Sequence, residues 1–379
     1  MIKKIIKNKI LKRKPNVIYN IGRDFSVEVQ PRAVLIYLNH FFCHGNNRNV
    51  YHTSNYESSV IVSVLSSLGF SVDVVNCYDD PEIVVDELNH YSYDLIMGFG
   101  EIFYQLAKLQ PSSKKVIYIT EGEPKFSSIK ETERLDYYKE RHGKAYPLIR
   151  SGKYYNEKHL SIADKMIVLG DRNQFLHYNI PIYELFPTGL LNRNFSFSKF
   201  EENDEMRFLW FGSSGLVHKG LDILLEAFSG LPSSLNCSLT VYGASKNEMK
   251  YLNKIDNVRI KIKSRIDVSS REFLEVARTH QYIFSTSCSE ANSTSILTGM
   301  LHGIIPVVMK NAGMDRIGGN VVYLEDFKLD YVQSKIKSLV KNYDVNRVNI
   351  MRLENLDFAN ENFCLRQYKK NINKILLAI

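Results

Sequence analysis

Strand-length apolar runs and helix-spaced runs alternate along this chain, stop at a charged stretch, and then alternate again. The first series holds "AVLIYL" (Ala33–Leu38), "SVDVVNC", "YDLIMGF", "KKVIYIT" and "ADKMIVLG", with a helix-spaced run from Ser54 that ends at Gly69. Such alternation implies right-handed strand–helix–strand units and a parallel sheet. "FSKFEENDEM" (Phe197–Met206) is polar and charged and reads as an interdomain linker. The second series then begins: "RFLWFG", "CSLTVYG", "NVRIKIK", "QYIFSTS" and "IIPVVM" as strands, "KGLDILLEAF", "SREFLEVARTH" and "STSILTGMLHG" as helices. Two helical patterns, "DYVQSKIKSLVKNY" and "ENFCLRQYKKNINKILLAI", end the chain. The expected division is a basic segment at 1–30, one domain at 31–196, the linker at 197–206, a second domain at 207–360, and a C-terminal helix at 361–379 that packs back on the first domain. The fold class is α/β, two doubly wound domains facing across a cleft. Ligands in such sheets bind outside the carboxyl ends of the strands.

Charge narrows the choice of partner. Seven of the net +8 charges lie in "MIKKIIKNKILKRK" (Lys3, Lys4, Lys7, Lys9, Lys12, Arg13 and Lys14), which leaves the rest of the chain at +1. A near-neutral body argues against nucleic acid as the main partner. The isoleucines and leucine of residues 1–14 fall near helical spacing, so two readings stand: a basic amphipathic helix on an anionic membrane, or a solvated basic tail. The five cysteines (Cys43, Cys77, Cys237, Cys288, Cys364) are odd in number and scattered, which argues against a disulfide framework or a metal site and for the cytosol. No apolar run of about 20 residues is present. No apolar core or cleavage site of a signal peptide follows the charged start either.

Two stretches carry the chemistry. In "FGSSGLVHKGLDILLEAF" (Phe211–Phe228) a strand ends at Gly212, a Gly/Ser loop follows, and a helix begins near Lys219. Such a loop exposes backbone N–H groups to an anion. A cation at a helix start opposes the macrodipole, at a cost of a few tenths up to about 1 kcal/mol, so Lys219 is either tolerated at the surface or facing an anionic ligand. In "SEANSTSILTGMLHGIIPVV" (Ser289–Val308) a single carboxylate, Glu290, precedes a helix that opens with Ser293, Thr294 and Ser295. That pattern suits a ligand with an anionic part at the helix end and hydroxyls beside it.

Together these stretches resemble the C-terminal domain of GT-B glycosyltransferases of the family-4 type, in its bacterial surface-polysaccharide branch. The resemblance rests on Gly212, "SSGLVH", Lys219 and Gly220, and on Glu290, seven residues, Thr298, then "LHGIIPVV" with Gly303 and Pro306. It implies a glycosyltransferase that moves a sugar from a nucleotide-sugar donor to a growing, lipid-linked glycan with retention, the donor being a substrate and no cofactor being needed. It implies that Lys219 neutralises the donor's diphosphate, that Ser213 and Ser214 line the phosphate loop, and that Glu290 meets the sugar hydroxyls. The helix from Ser293 would aim its amides at the phosphates. Two positions depart from the pattern. Thr298 stands where the family has a second Glu for the ribose, and serines stand where the basic loop usually has an arginine.

Further candidates lie in the first half. His52 precedes the first helix, Glu121 and Glu123 follow a strand end in "TEGEP", and Arg172 follows "VLGD"; each is an acceptor-side residue or an ordinary loop residue. Asp79 and Asp80 read as caps before Pro81, and the sequence has no Asp-x-Asp pair to hold a metal-bound diphosphate. The rival readings are a nucleotide-sugar epimerase on the same scaffold and a GT-B subunit that binds but no longer catalyses.

Overall fold

The computed structural model describes residues 16–43, 52–152, 156–202, 204–252 and 256–379. The first sheet contains β1 (Ile18–Ile21), β2 (Arg32–Tyr37), β3 (Ser71–Asn76), β4 (Leu95–Gly98), β5 (Lys114–Ile119), β6 (Lys165–Val168) and β7 (Ile182–Glu184). Their order is β1-β3-β2-β4-β5-β6-β7, parallel except for β1 against β3. The second contains β8 (Met206–Phe211), β9 (Cys237–Tyr242), β10 (Ile260–Lys263), β11 (Tyr282–Ser285), β12 (Ile305–Met309) and β13 (Val322–Leu324). Its order is β10-β9-β8-β11-β12-β13, parallel throughout. Helices cover both faces, so central strands are buried on both sides and read as unbroken Val/Ile/Leu runs. Val34, Leu35, Val72, Val74, Ile96, Ile117 and Ile167 are all fully buried.

Strand order reverses between β2 and β4 in one sheet and between β8 and β11 in the other. At these switch points the connections leave to opposite sides and open a crevice. The loops after β8 and β11 are those that carry Lys219 and Glu290.

Three features differ from the expected pattern. The irregular crossing runs from Leu185 to Glu205, well before Phe197. Its first part, with Thr188 and Asn192 buried, holds to the rest of the chain through Gly189 N to Phe363 O (2.9 Å) and Asn192 N to His302 Nε2 (3.1 Å). It is apolar because it lies inside the interface, so it does not look like a linker. A helix at Val345–Asn362 was not expected at all. The C-terminal helix Leu365–Ala378 puts Tyr368, Ile372 and Leu376 into the first core.

The third feature matters most for the site. Helix Pro124–His142 follows β5 of the first sheet, yet it docks on the second core. Tyr138 and Tyr146 belong to that core, Tyr138 Oη donates to Tyr251 O (2.8 Å), and Arg134 Nη2 donates to Thr286 O (3.0 Å). Arg141 pairs with the buried Asp222. Pro124 at its first turn, the Glu123 carboxylate accepting from Phe126 N (2.6 Å), and left-handed Gly143 at its end define this helix. Residues of the N-terminal half are thereby carried to the loops of the C-terminal half.

Candidate functional site

A cavity of about 610 Å³ lies between the two sheets, at the carboxyl ends of their strands. One wall comes from the first half: Tyr37, His52, Glu57, Phe99, Glu121 and Arg150. The other comes from the loops after β8, β9 and β11, with Gly212, Ser213, Ser214, Lys219, Glu290, Ser293, Thr294, Ser295 and Thr298. The volume is that of a site for a ligand of cofactor or nucleotide size.

Lys219 and Glu290 meet on this second wall, with Nζ 2.6 Å from Oε1. The helix after the loop starts at Leu221, and Lys219 lies one residue before its left-handed cap, Gly220. A Cβ at Gly220 would stand 2.5 Å from Thr286 O, so only glycine fits. The cation that seemed to oppose the helix dipole is thus balanced by a carboxylate. Three backbone hydrogen bonds hold the Glu290 loop: Cys288 N to His218 O (2.9 Å), Glu290 N to Ala312 O (2.7 Å), and Asn292 N to Leu169 O (2.8 Å). The last crosses between the two halves. Ser287 Oγ adds a hydrogen bond to Glu290 Oε1 at 2.8 Å. Burial acts to raise the Glu290 carboxyl, but Lys219, Arg150 and His218 outweigh it and hold it at about 2.

Part of the loop after β8 is engaged by the protein itself. Gly215 N and Leu216 N both donate to Glu248 Oε2, at 2.8 and 2.9 Å. These two amides are therefore taken by an internal carboxylate, and Ser213 and Ser214 with Lys219 form the part of the loop that lines the cavity.

Thr298 reaches the cavity lining with a hydroxyl that already has a partner inside the protein. Thr298 is 2% exposed, and its Oγ1 accepts from Leu190 N of the crossing segment at 3.1 Å. Helix Thr294–Met300 is buried from Ile296 through Met300, so only a small part of Thr298 faces the cavity.

The acceptor-side candidates separate. Glu121 lines the cavity and binds Arg150 Nη2 at 2.7 Å; burial pushes its carboxyl up, against the pull of Arg150. His52 lines the cavity as the cap of helix Thr53–Ser67, where Nδ1 accepts from Ser54 N. Dehydration by the walls, with Arg265 and Lys219 nearby, lowers its basicity. Glu123 is instead a buried helix cap that also accepts from Tyr178 Oη (2.9 Å). Arg172 is exposed and stands outside the cavity lining. Asp80 caps helix Pro81–Leu88, accepting from Glu82 N.

Glu57 escaped sequence reasoning. It sits on the buried stripe of helix Thr53–Ser67, in step with Val60, Ile61 and Val64, which was its one visible signal. At the cavity floor its carboxylate accepts from Thr188 N (3.2 Å), Tyr37 Oη (3.1 Å) and Tyr118 Oη (3.4 Å). Burial nonetheless pushes it from 4.5 up to about 7. A raised acid stabilises the fold fully below 4.5, and that contribution is lost as pH rises through 7. Glu57→Gln is therefore expected to gain on the wild type by on the order of 3 kcal/mol between pH 4 and pH 8, read from urea unfolding at both pH values. A pH-independent difference would refute the assignment.

No family model matches the sequence, and neither does any curated protein. Solved structures do. Sucrose-phosphate synthase from Thermosynechococcus elongatus is similar at 12% identity over 92% of this chain and 99% of that one, with a TM-score of 0.63. The Anabaena protein HepE in complex with UDP-glucose is similar at 12% identity over 93% and 100%, with a TM-score of 0.59. The fold is GT-B. A third GT-B structure, the lipopolysaccharide outer core galactosyltransferase WaaB, matches at 11% identity over 92% and 99%, with a TM-score of 0.60. In GT-B terms the cavity is the interdomain cleft, and Lys219 and Glu290 lie on its C-terminal wall. Among the described residues no helix is long and apolar enough to cross a membrane.

Proposed function

We propose that this chain is a glycosyltransferase that moves a sugar from a nucleotide-sugar donor to a growing, lipid-linked glycan, with retention and without a metal ion. The observation that carries the reading is the Lys219–Glu290 pair, held at the switch point of the second sheet in a cleft of nucleotide-sugar size. Charge develops on the diphosphate as the glycosidic bond breaks. A fixed ammonium there favours the transition state over the ground state. Glu290, ionised and held in a loop pinned at Cys288, Glu290 and Asn292, is suited to accept hydrogen bonds from sugar hydroxyls. In this reading Glu121 and His52, which line the opposite wall, serve the acceptor. The UDP-glucose complex of HepE and the lipopolysaccharide role of WaaB support the donor and acceptor classes. The test is a hydrolysis and transfer screen across nucleotide sugars in EDTA. Turnover of one donor is the expected result, and turnover that needs added Mg²⁺ or Mn²⁺ would overturn the metal-free part. The placement of Thr298 favours one second reading, a GT-B binding subunit without turnover, for which the screen returns nothing.

Residues 1–14 lie outside the described residues. Seven cations there, each worth up to about 1 kcal/mol near an anionic surface, suit a peripheral site on the inner face of the membrane. Deleting residues 1–14 is expected to abolish sedimentation with phosphatidylserine vesicles and to leave transfer to a soluble acceptor analogue intact. Equal sedimentation of both forms would make the segment a solvated tail.

A further inference from the structure

The GT-B cleft contains a second cation next to the donor wall, and it comes from the N-terminal half of the chain. We infer that Arg150 is a ligand of the donor's diphosphate, completing with Lys219 a two-cation clamp built from both halves of the protein. The inference rests on the glycosyltransferase reading and adds a residue to it.

Four observations place Arg150 there. It lines the same cavity as Lys219, Ser213 and Ser214. Its side chain lies across the loop after β8: a Cβ on Gly215 would come within 2.8 Å of Arg150 Cδ. Its charge reaches the site centre, since it is among the groups that hold Glu290 ionised. Its position is also fixed. The backbone amides of Arg150 and Ser151 donate to the two oxygens of Glu131, at 2.8 and 2.6 Å, and Glu131 stands 3.3 Å from His218 Nδ1. His218 in turn bonds Ser289 O at 2.8 Å through Nε2. One buried carboxylate therefore ties the Arg150 segment to the residue before Lys219, and that residue to the one before Glu290.

The docked helix Pro124–His142 makes the arrangement durable. It packs into the second core and brings Glu131 and Arg150 along with it, and Ser127 Oγ meets Ser289 Oγ at 2.7 Å. The loop after β8 has serines at 213 and 214 where a cation would have served, and Arg150 supplies one from across the cleft. A guanidinium presents paired donors that match phosphate oxygens, whereas an ammonium acts as a point charge. Each cation is paired with a carboxylate, Lys219 with Glu290 and Arg150 with Glu121. A diphosphate enters by exchanging those carboxylates for its own oxygens, which leaves Glu290 and Glu121 to meet hydroxyl groups.

The experiment is isothermal titration of the full chain with inorganic pyrophosphate, uridine diphosphate and uridine. Arg150→Ala is expected to weaken pyrophosphate and uridine diphosphate at least tenfold and to leave uridine unchanged. Arg150→Lys should recover part of the loss. Glu121→Gln, which removes the competing carboxylate, should tighten pyrophosphate. If Arg150 serves only to hold Glu121, then Arg150→Ala and Glu121→Gln weaken all probes alike, and the inference falls. Wild-type binding of pyrophosphate that Arg150→Ala leaves unaltered overturns the inference alone. A wild-type protein that takes up neither anion overturns the glycosyltransferase reading and the inference with it.

Discussion

Lys219→Ala is expected to lower kcat/KM for sugar transfer by about 100-fold or more and to lower the melting temperature as well. Loss of one fixed group that meets developing charge commonly costs about 3 kcal/mol or more in the transition state. The second effect comes from Glu290. Its side chain is 12% exposed and its strongest partner is Lys219, so truncation leaves a largely buried carboxylate with Arg150, His218 and the Ser287 hydroxyl only. Breaking a buried pair from one side is strongly destabilising. The pH dependence separates the two effects. Glu290 is depressed from 4.5 to about 2, so its contribution is present above 4.5 and lost as pH falls through 2. The variant should lose less stability in that acid window than the wild type, whereas the loss in kcat/KM persists at neutral pH. Lys219→Arg keeps the charge and should retain part of the activity. Unchanged kcat/KM in Lys219→Ala would remove the lysine from the phosphate site.

How much of the site was legible depended on how each residue reaches it. Lys219 and Glu290 sit in loops directly after β8 and β11, and strand–loop–helix punctuation in one short stretch announces such positions. Arg150 and Glu131 arrive by a different route. The helix that carries Glu131, with the irregular segment of Arg150 tied to it, follows the first sheet in sequence and packs on the second core, and local pattern does not say which sheet a helix will cover. Glu248 was missed because a carboxylate that accepts two loop amides looks like any surface glutamate in a sequence. The enclosure of Thr298 was not legible either. An amphipathic helix has one buried face and one wet face. Helix Thr294–Met300 is enclosed on both, by its own sheet and by the crossing segment at Leu190. The two sheets were legible nearly strand by strand, since central parallel strands must be continuous apolar runs. The edge strands β1, β7 and β13 were not, being only four, three and three residues long and half exposed.

Helix Val345–Asn362 shows the same limit in the fold, and it leads to the second large effect, on stability. Its buried positions are Val348, Arg352, Asn355 and Ala359. They follow helical spacing, but two of the four are polar, so no apolar stripe appears in the sequence. Arg352 is fully buried. Its guanidinium donates to three carbonyls from separate parts of the chain: Gly303 O (3.0 Å), Ser198 O (2.9 Å) and Ala277 O (3.3 Å). It also lies 4.1 Å from the centre of the Phe200 ring and 5.0 Å from that of Phe197. One side chain thus fastens the crossing segment, helix Arg271–Thr279, and the turn into β12. Arg352→Ala opens a cavity and leaves these buried acceptors without their donor, each at about 1–3 kcal/mol. After partial relaxation the expected loss is about 3–5 kcal/mol in urea unfolding. Arg352→Met restores much of the volume but none of the donors, so it should recover only the cavity part. Arg352 is not among the residues that line the cleft, so kcat/KM of the folded fraction should stay near the wild-type value. A loss below about 1 kcal/mol in Arg352→Ala would mean that the carbonyls find other donors, and the buried arginine would then not be what holds the crossing segment in place.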